Sequence, residues 1–124
     1  FQAMTDYQRN VLKPALREEA LAAGAKIRAL LPRQLRRGLV DDGRWLKPDA
    51  RAQLHSWVAQ RPRIRTLVEY RARLAALLEA RSQNAGETLA HLQAWCREAE
   101  STGIRALQEY SARLKGYSLQ SVRA

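Results

Sequence analysis

Cysteine, proline and glycine are all scarce in this chain, with one Cys, four Pro and six Gly among 124 residues. A single Cys cannot form an internal disulfide, which excludes a disulfide scaffold. Few Pro and Gly leave room for long helices, and β-branched residues are also sparse. Ala, Leu, Arg, Glu and Gln, which all favour helix, dominate instead. We therefore expect an all-α fold, a single compact helical domain of five or six helices.

Long apolar runs and clustered metal ligands are missing as well. No stretch approaches the roughly 18–20 apolar residues that cross a bilayer, and no signal peptide is visible. His55 and His91 lie far apart in sequence, and the one Cys has no partner. We expect no metal, no cofactor and no catalytic residue in this chain, and we expect it to be soluble and cytoplasmic.

Positive charge is in excess, because 22 basic residues stand against 12 acidic ones and give a net charge of +10. Such a balance suits an anionic partner, which is nucleic acid, a membrane surface or an acidic protein. The composition does not choose among these three. A GC-rich genome that favours Arg on solvated helix faces is an alternative explanation of the excess.

One basic run contains no acidic residue and is the candidate contact for an anionic surface. Its members are Lys26, Arg28, Arg33, Arg36 and Arg37. Interleaved apolar residues give the run an apolar side, so the basic side chains are expected to be exposed and to face a membrane surface or a phosphate backbone. A second run, Arg61, Arg63 and Arg65, surrounds Pro62. For both runs a solvated helix face is the alternative.

The chain ends are interpreted separately from the helical domain. Residues 1–4, FQAM, resemble a tag or vector remnant. The helical domain is expected over residues 5–116. Residues 117–124 have no strong pattern and are expected to form a tail.

Local signals predict the helix boundaries in the first half. Thr5 with Gln8 looks like a capping box that opens the first helix. Apolar residues recur every three or four positions from Leu12 to Leu31, which predicts one helix face. Pro14 should kink or restart this helix, and Pro32 should end it and open a short helix through Gly38.

The second half begins with a loop, VDDGRWLKPD, in which Asp41, Asp42 and Gly43 form a turn. Helices are then expected over 49–60 and 63–81. Asn84 with Glu87 forms a capping box for the next helix, which ends near Gly103. A last helix begins near Ile104, with Leu107, Tyr110, Ser111 and Leu114 on its apolar face.

Residues 89–104, LAHLQAWCREAESTGI, place the single Cys beside a Trp. At 100° per residue, Leu89, Leu92, Cys96 and Ala99 share one face, which Trp95 flanks. Cys96 is therefore predicted to be a buried small hydrophobe and not a reactive thiol. Trp45 and Trp57 are interpreted as core or edge residues. His91 is expected on the surface, and His55 is interpreted as structural.

Residues 77–119, LLEARSQNAGETLAHLQAWCREAESTGIRALQEYSARLKGYSL, resemble the C-terminal region of bacterial, particularly proteobacterial, membrane fatty acid desaturases. The likeness is strongest over LQAWCREAESTGIRALQEYSARL, and DYQRNVLKPALREEA resembles the segment that leaves the last membrane helix. The resemblance implies a diiron parent enzyme that uses oxygen and an electron donor. The family's histidine boxes, HxxxH and HxxHH, are absent here, so no catalytic residue carries over.

These observations lead to one favoured function and two alternatives. The favoured one is a non-catalytic accessory domain of a membrane desaturase at the cytoplasmic face of the inner membrane. Its basic surface would contact anionic lipid headgroups, an acidic electron-transfer protein or an acidic acyl carrier. The first alternative is an independent basic module that binds nucleic acid or a protein partner. A stand-alone enzyme is disfavoured because no nucleophile–base pair is apparent.

Overall fold

The computed structural model describes residues 2–41, 43–79 and 85–123, with side chains except at 85 and 117–123. The helices are α1 Ala3–Tyr7, a π-helical segment Gln8–Leu12, α2 Lys13–Ala23, α3 Ile27–Leu30, α4 Arg33–Val40, α5 Pro48–Ala59, α6 Pro62–Glu79, α7 Ala85–Ser101 and α8 Arg105–Arg123. No strand occurs in these ranges, which confirms the all-α prediction. Because α1, the π-helical segment and α2 are contiguous, the described ranges hold seven continuous helices, not the five or six expected.

The chain divides into two compact units. Unit 1 comprises Phe1–Tyr7 and Tyr70–Ala124, and unit 2 comprises Gln8–Glu69. Each unit is described by itself below.

An aromatic cluster forms the centre of unit 1. Trp95 is 1% exposed and meets the rings of Tyr7, Tyr70 and Tyr110 edge-on, at centroid distances of 6.5, 5.9 and 5.8 Å. Its indole N–H donates to the Tyr70 carbonyl at 3.1 Å. Edge-to-face pairs add about 0.5–1.5 kcal/mol each beyond the area that they bury. Trp95, predicted to flank the apolar face, is thus part of the core.

Helix α8 packs on α7 and on α1 within this unit. The apolar face predicted for it, Leu107 to Leu114, is buried as expected. The Tyr110 hydroxyl donates to the Ala3 carbonyl at 2.7 Å, and the Arg113 guanidinium forms a two-point pair with Asp6 at 2.8 and 3.0 Å. Two polar links therefore join the first and last helices of the chain.

The chain reverses between α7 and α8 at the predicted glycine. Gly103 has a φ of +76°, a left-handed conformation that glycine adopts without the steric cost of a Cβ. The Thr102 hydroxyl donates to the Ala99 carbonyl at 2.7 Å and so satisfies one carbonyl of the last turn of α7.

Two predicted caps have different outcomes. The Asp6 N–H donates to the Gln2 carbonyl at 2.9 Å, so helix α1 begins at Ala3 and Thr5 lies inside its first turn. The capping box at Thr5 is therefore wrong. The cap predicted at Asn84 and the turn residue Asp42 lie outside the described residues.

Proline and glycine set the helix ends of unit 2. The sequence predicts a kink or a restart at Pro14, and the hydrogen-bond pattern changes beside it, because the π-helical segment stops at Leu12 and α2 starts at Lys13. Pro14 has no N–H to donate to the preceding turn, so the regular α-helical hydrogen-bond pattern is interrupted there while the chain remains helical. Gly24, at a φ of +65°, ends α2, and the Ala25 N–H donates to the Ala20 carbonyl at 3.0 Å. The prediction of one helix through Leu31 is therefore wrong.

The loop after α4 packs against that helix. In the loop, the Gly43 N–H donates to Asp41 Oδ1 at 2.7 Å, and Gly43 has a φ of +68°. Gly38 of α4 faces Leu46 so closely that a Cβ added at Gly38 would overlap Leu46 Cδ1. The absence of a side chain at Gly38 thus lets the loop lie directly on α4.

The aromatic cluster predicts a large difference between two tryptophans. Trp95→Ala should lower the free energy of unfolding by about 3–5 kcal/mol, because it leaves a cavity among three rings. Trp45→Ala, at a side chain that is 48% exposed, is the matched control and should cost about 1 kcal/mol or less. Urea denaturation of the unmodified protein and of the two variants measures these differences. Equal losses of stability in the two variants would contradict the assignment of the core.

Two tyrosines predict a loss of stability at alkaline pH. Burial, the largest cause, raises the pKa of Tyr7 and of Tyr110 well above the ordinary value near 10. The unfolded chain then releases these protons at a lower pH than the folded chain does. Above about pH 10 the free energy of unfolding should fall by up to roughly 1.4 kcal/mol per pH unit for each tyrosine.

The double variant Tyr7→Phe/Tyr110→Phe lacks both titrating groups and should show a flatter decline between about pH 9 and 11. Urea denaturation at several pH values measures the slope, whatever the variant's stability at neutral pH. Identical slopes for the two proteins would overturn this account.

Candidate anion-binding site

Five cationic side chains line one cleft of unit 2, and we call this the cationic cleft. Lys13 and Arg17 come from α2, and Arg33, Arg36 and Arg37 come from α4. The cleft has a volume of about 530 Å³. Sites for small molecules commonly lie between about 300 and 1,000 Å³, so the cleft is large enough for a ligand.

Helical spacing explains why these side chains meet. Lys13 and Arg17 are four residues apart, and Arg33 precedes Arg36 and Arg37 by three and four residues. Residues at these spacings share one face of an α-helix. Each helix therefore presents a single cationic stripe, and both stripes border the same cleft.

The chain between the two helices brings the stripes together. Gly24 ends α2, α3 occupies only Ile27–Leu30, and Pro32 precedes the first residue of α4. Helix α4 then packs on the π-helical segment that leads into α2. Apolar side chains of all three helices, Leu16, Ile27 and Val40, also line the cleft.

Positive charge in the cleft is almost uncompensated. Within the described ranges, none of the five cationic side chains forms an ion pair. Asp41 is the one carboxylate among the described residues that line the cleft. Its oxygens accept hydrogen bonds from the Gly43 N–H and from the Trp45 indole, both at 2.7 Å. The arrangement is therefore suited to bind an anion.

Two of the arginines have distinct surroundings. The Arg37 guanidinium lies 5.7 Å from the centre of the Trp45 ring, within range of a cation–π contact. Arg36 is half-buried, whereas Arg33 and Arg37 are exposed. The Arg36 Nε is buried and has no hydrogen-bond acceptor among the described residues. The expectation that all three are freely exposed is thus wrong for Arg36.

The structure brings together only part of the predicted basic run. Arg33, Arg36 and Arg37 line the cleft, while Lys26 and Arg28 are exposed and do not line it. Sequence reasoning missed Lys13 and Arg17, since Glu18 and Glu19 directly follow Arg17 and balance the two basic charges in the sequence. Their spacing of four residues on a helix was the available signal.

The second basic run, in contrast, has partners inside unit 2. The Arg61 guanidinium lies 4.0 Å from the centre of the Trp57 ring and donates to the Trp57 carbonyl at 3.1 Å. Arg63 pairs with Glu18 at 3.2 Å. Two of the three arginines of this run thus have partners, while Arg65 is exposed, and the cationic cleft is the stronger candidate.

Histidine and cysteine offer no second candidate site. His55 and His91 are exposed and belong to different units, which confirms His91 as a surface residue. Among the described residues, no group of three or more His, Cys, Asp or Glu side chains is placed to hold a metal ion. Cys96 is 1% exposed, so the prediction of a buried thiol is confirmed, and burial raises its pKa.

The Cys96 environment predicts slow thiol chemistry. A maleimide or disulfide reagent should label the native protein far more slowly than the urea-unfolded protein, because the thiolate is both disfavoured and inaccessible. Cys96→Ala should cost on the order of 1 kcal/mol of stability through lost packing. Rapid labelling under native conditions would contradict the buried assignment.

Searches for related proteins and for membrane-spanning segments add no assignment. None of the helices in the described ranges has both the length and the apolar character of a membrane span. Comparison of the chain with protein-family models, with curated proteins and with solved structures found no match.

Proposed function

We propose that this chain is a non-catalytic domain that binds anionic membrane lipids through the cationic cleft and the basic residues beside it. The observation that carries the proposal is the convergence of five cationic side chains on one cleft, whose described lining contains one carboxylate, already hydrogen-bonded. Each Lys or Arg close to an anionic bilayer contributes about 1 kcal/mol of binding. The exposed Lys26 and Arg28 add to the same attraction.

Apolar side chains near the cleft favour a lipid over nucleic acid as the partner. Leu21, one turn beyond Arg17 on α2, is 81% exposed. Leu16, Ile27 and Val40 lie among the cationic side chains of the cleft. A lipid headgroup with its glycerol and acyl region supplies both anionic and apolar surface, whereas a nucleic-acid backbone supplies mainly charge.

The resemblance to the C-terminal region of membrane fatty acid desaturases supplies a cellular setting for this proposal. In that setting the chain is an accessory domain at the cytoplasmic face of a membrane, and the diiron chemistry belongs to the parent enzyme. The coding sequence upstream of Thr5 tests this setting. Several hydrophobic spans with histidine boxes would support it, and a start codon at Met4 would count against it.

Vesicle binding tests the proposed function. At low ionic strength the protein should bind vesicles that contain anionic lipid, ignore neutral ones and dissociate as salt screens the charges. Arg33→Gln/Arg36→Gln/Arg37→Gln should weaken binding by roughly 100-fold, since it removes about 3 kcal/mol of attraction and about 1.4 kcal/mol corresponds to a factor of ten. Leu21→Gln should weaken binding by a further few-fold through lost insertion.

A matched control separates the cleft from total charge. Arg65→Gln/Arg97→Gln/Arg105→Gln removes the same three charges from exposed positions that do not line the cleft, and it should leave binding nearly unchanged. Equal weakening by the two triple variants, or no vesicle binding at low salt, would rule out the proposal. A preference of a thousandfold or more for one DNA sequence would favour the nucleic-acid alternative.

A further inference from the structure

We infer that the cationic cleft takes the headgroup of a single lipid phosphomonoester, with the terminal phosphate against Arg33, Arg36 and Arg37 and the apolar part of the lipid against Leu16, Ile27 and Val40. This inference rests on the proposed function and specifies which anionic lipid is recognised. The inference is that one lipid molecule binds per chain inside the cleft, whereas the proposed function requires only attraction of the chain to a charged membrane surface.

The density of charge favours a dianion over a monoanion. Of the described residues, five cations and one carboxylate border this cleft, and arginine stays protonated at all ordinary pH values. A phosphodiester headgroup brings one negative charge, whereas a phosphomonoester brings up to two charges and three terminal oxygens. The phosphomonoester therefore gains more from each cationic side chain.

Arginine chemistry favours a terminal phosphate. A guanidinium offers paired N–H donors that match two oxygens of one phosphate, and such charge-assisted bonds are about twice as strong as neutral ones. Neither Arg33 nor Arg36 forms a side-chain hydrogen bond or ion pair within the described ranges. Three terminal oxygens provide the acceptors for these donors, while a diester leaves only two oxygens free.

The apolar lining favours a lipid over free phosphate. Leu16 is buried, and Ile27 and Val40 are half-buried. Contact with acyl carbons would remove the remaining apolar surface from water, which is favourable at about 25 cal/mol per Å². Glycerol 3-phosphate and inorganic phosphate carry the phosphate but no acyl chain. Their affinities therefore separate the contribution of the phosphate from that of the acyl chains.

Calorimetric titration with soluble lipids tests the inference on the intact chain. Dihexanoyl phosphatidic acid below its micellar concentration should bind at one per chain at pH 7.5. It should bind roughly tenfold more tightly than dihexanoyl phosphatidylglycerol, which has the same acyl chains and a diester headgroup. Glycerol 3-phosphate should bind at the same site but more weakly.

The ligand's own titration gives a second readout. The second pKa of a phosphomonoester lies near about 6, so lowering the pH from 7.5 to 5 removes charge from the ligand. Binding of phosphatidic acid should then weaken toward that of phosphatidylglycerol. Among the described residues, the charged groups that line the cleft are the five cations and Asp41. Phosphatidylglycerol at both pH values is the control for protonation of the protein itself.

Two variants assign the site. Arg36→Gln should abolish the preference for the phosphomonoester, while Arg105→Gln, far along the sequence on the exposed face of α8, should keep it. Circular dichroism confirms that each variant is folded. If Arg36→Gln does not fold, the exposed Arg37→Gln replaces it and should weaken the same preference.

The outcomes distinguish this inference from the proposed function. Vesicle binding without a preference for phosphatidic acid, or with a preference that Arg36→Gln retains, overturns the inference and leaves the proposed function standing. Stoichiometric binding of soluble phosphatidic acid without vesicle binding rejects the membrane role and keeps the cleft assignment. Equal affinity for glycerol 3-phosphate and phosphatidic acid overturns the lipid part, because a soluble phosphomonoester would then be the ligand.

Discussion

Backbone hydrogen bonds at Gly24 end α2 and turn the chain so that α3 and α4 follow as separate helices. Glycine is suited to this position because its left-handed conformation carries no Cβ penalty. In an uninterrupted helix, Lys13 and Arg33 would lie about 30 Å apart along the axis. With the break at Gly24 and Pro32, they line the same cleft. The cationic cleft therefore depends on this interruption.

The grouping of like charges in the cationic cleft disfavours the folded state, because the charges repel one another. Lys13, Arg17 and the three cleft arginines of α4 repel one another with little screening from Asp41, whereas Arg63 of the second run has an ion-pair partner, Glu18. Natural chains retain such unfavourable groupings mainly at functional sites. A bound anion would relieve the repulsion and stabilise the folded chain by mass action. The arrangement is therefore what the proposed binding of an anion would require.

The periodicity of apolar residues in the sequence was sufficient to predict buried residues of the helices, but it could not predict the cationic cleft. The burial of Cys96 and of the α8 face from Leu107 to Leu114 follows from apolar spacing within one helix, which is a local property. The prediction of one helix through Leu31 was wrong because it relied on apolar spacing and gave too little weight to Gly24, which ends α2. Lys13 and Arg33 lie 20 residues apart in sequence, and only tertiary packing shows that they share a site. The desaturase resemblance stays a prediction.

The central claim is that an anion is held by specific side chains of one cleft and not by the net charge of the chain. NMR of the arginine Nε–Hε groups during a titration with dihexanoyl phosphatidic acid measures this directly. The account predicts saturable shifts at one lipid per chain for Arg33, Arg36 and Arg37, with Arg65, Arg97 and Arg105 unchanged. Small, unsaturated shifts of similar size at all exposed arginines would contradict it.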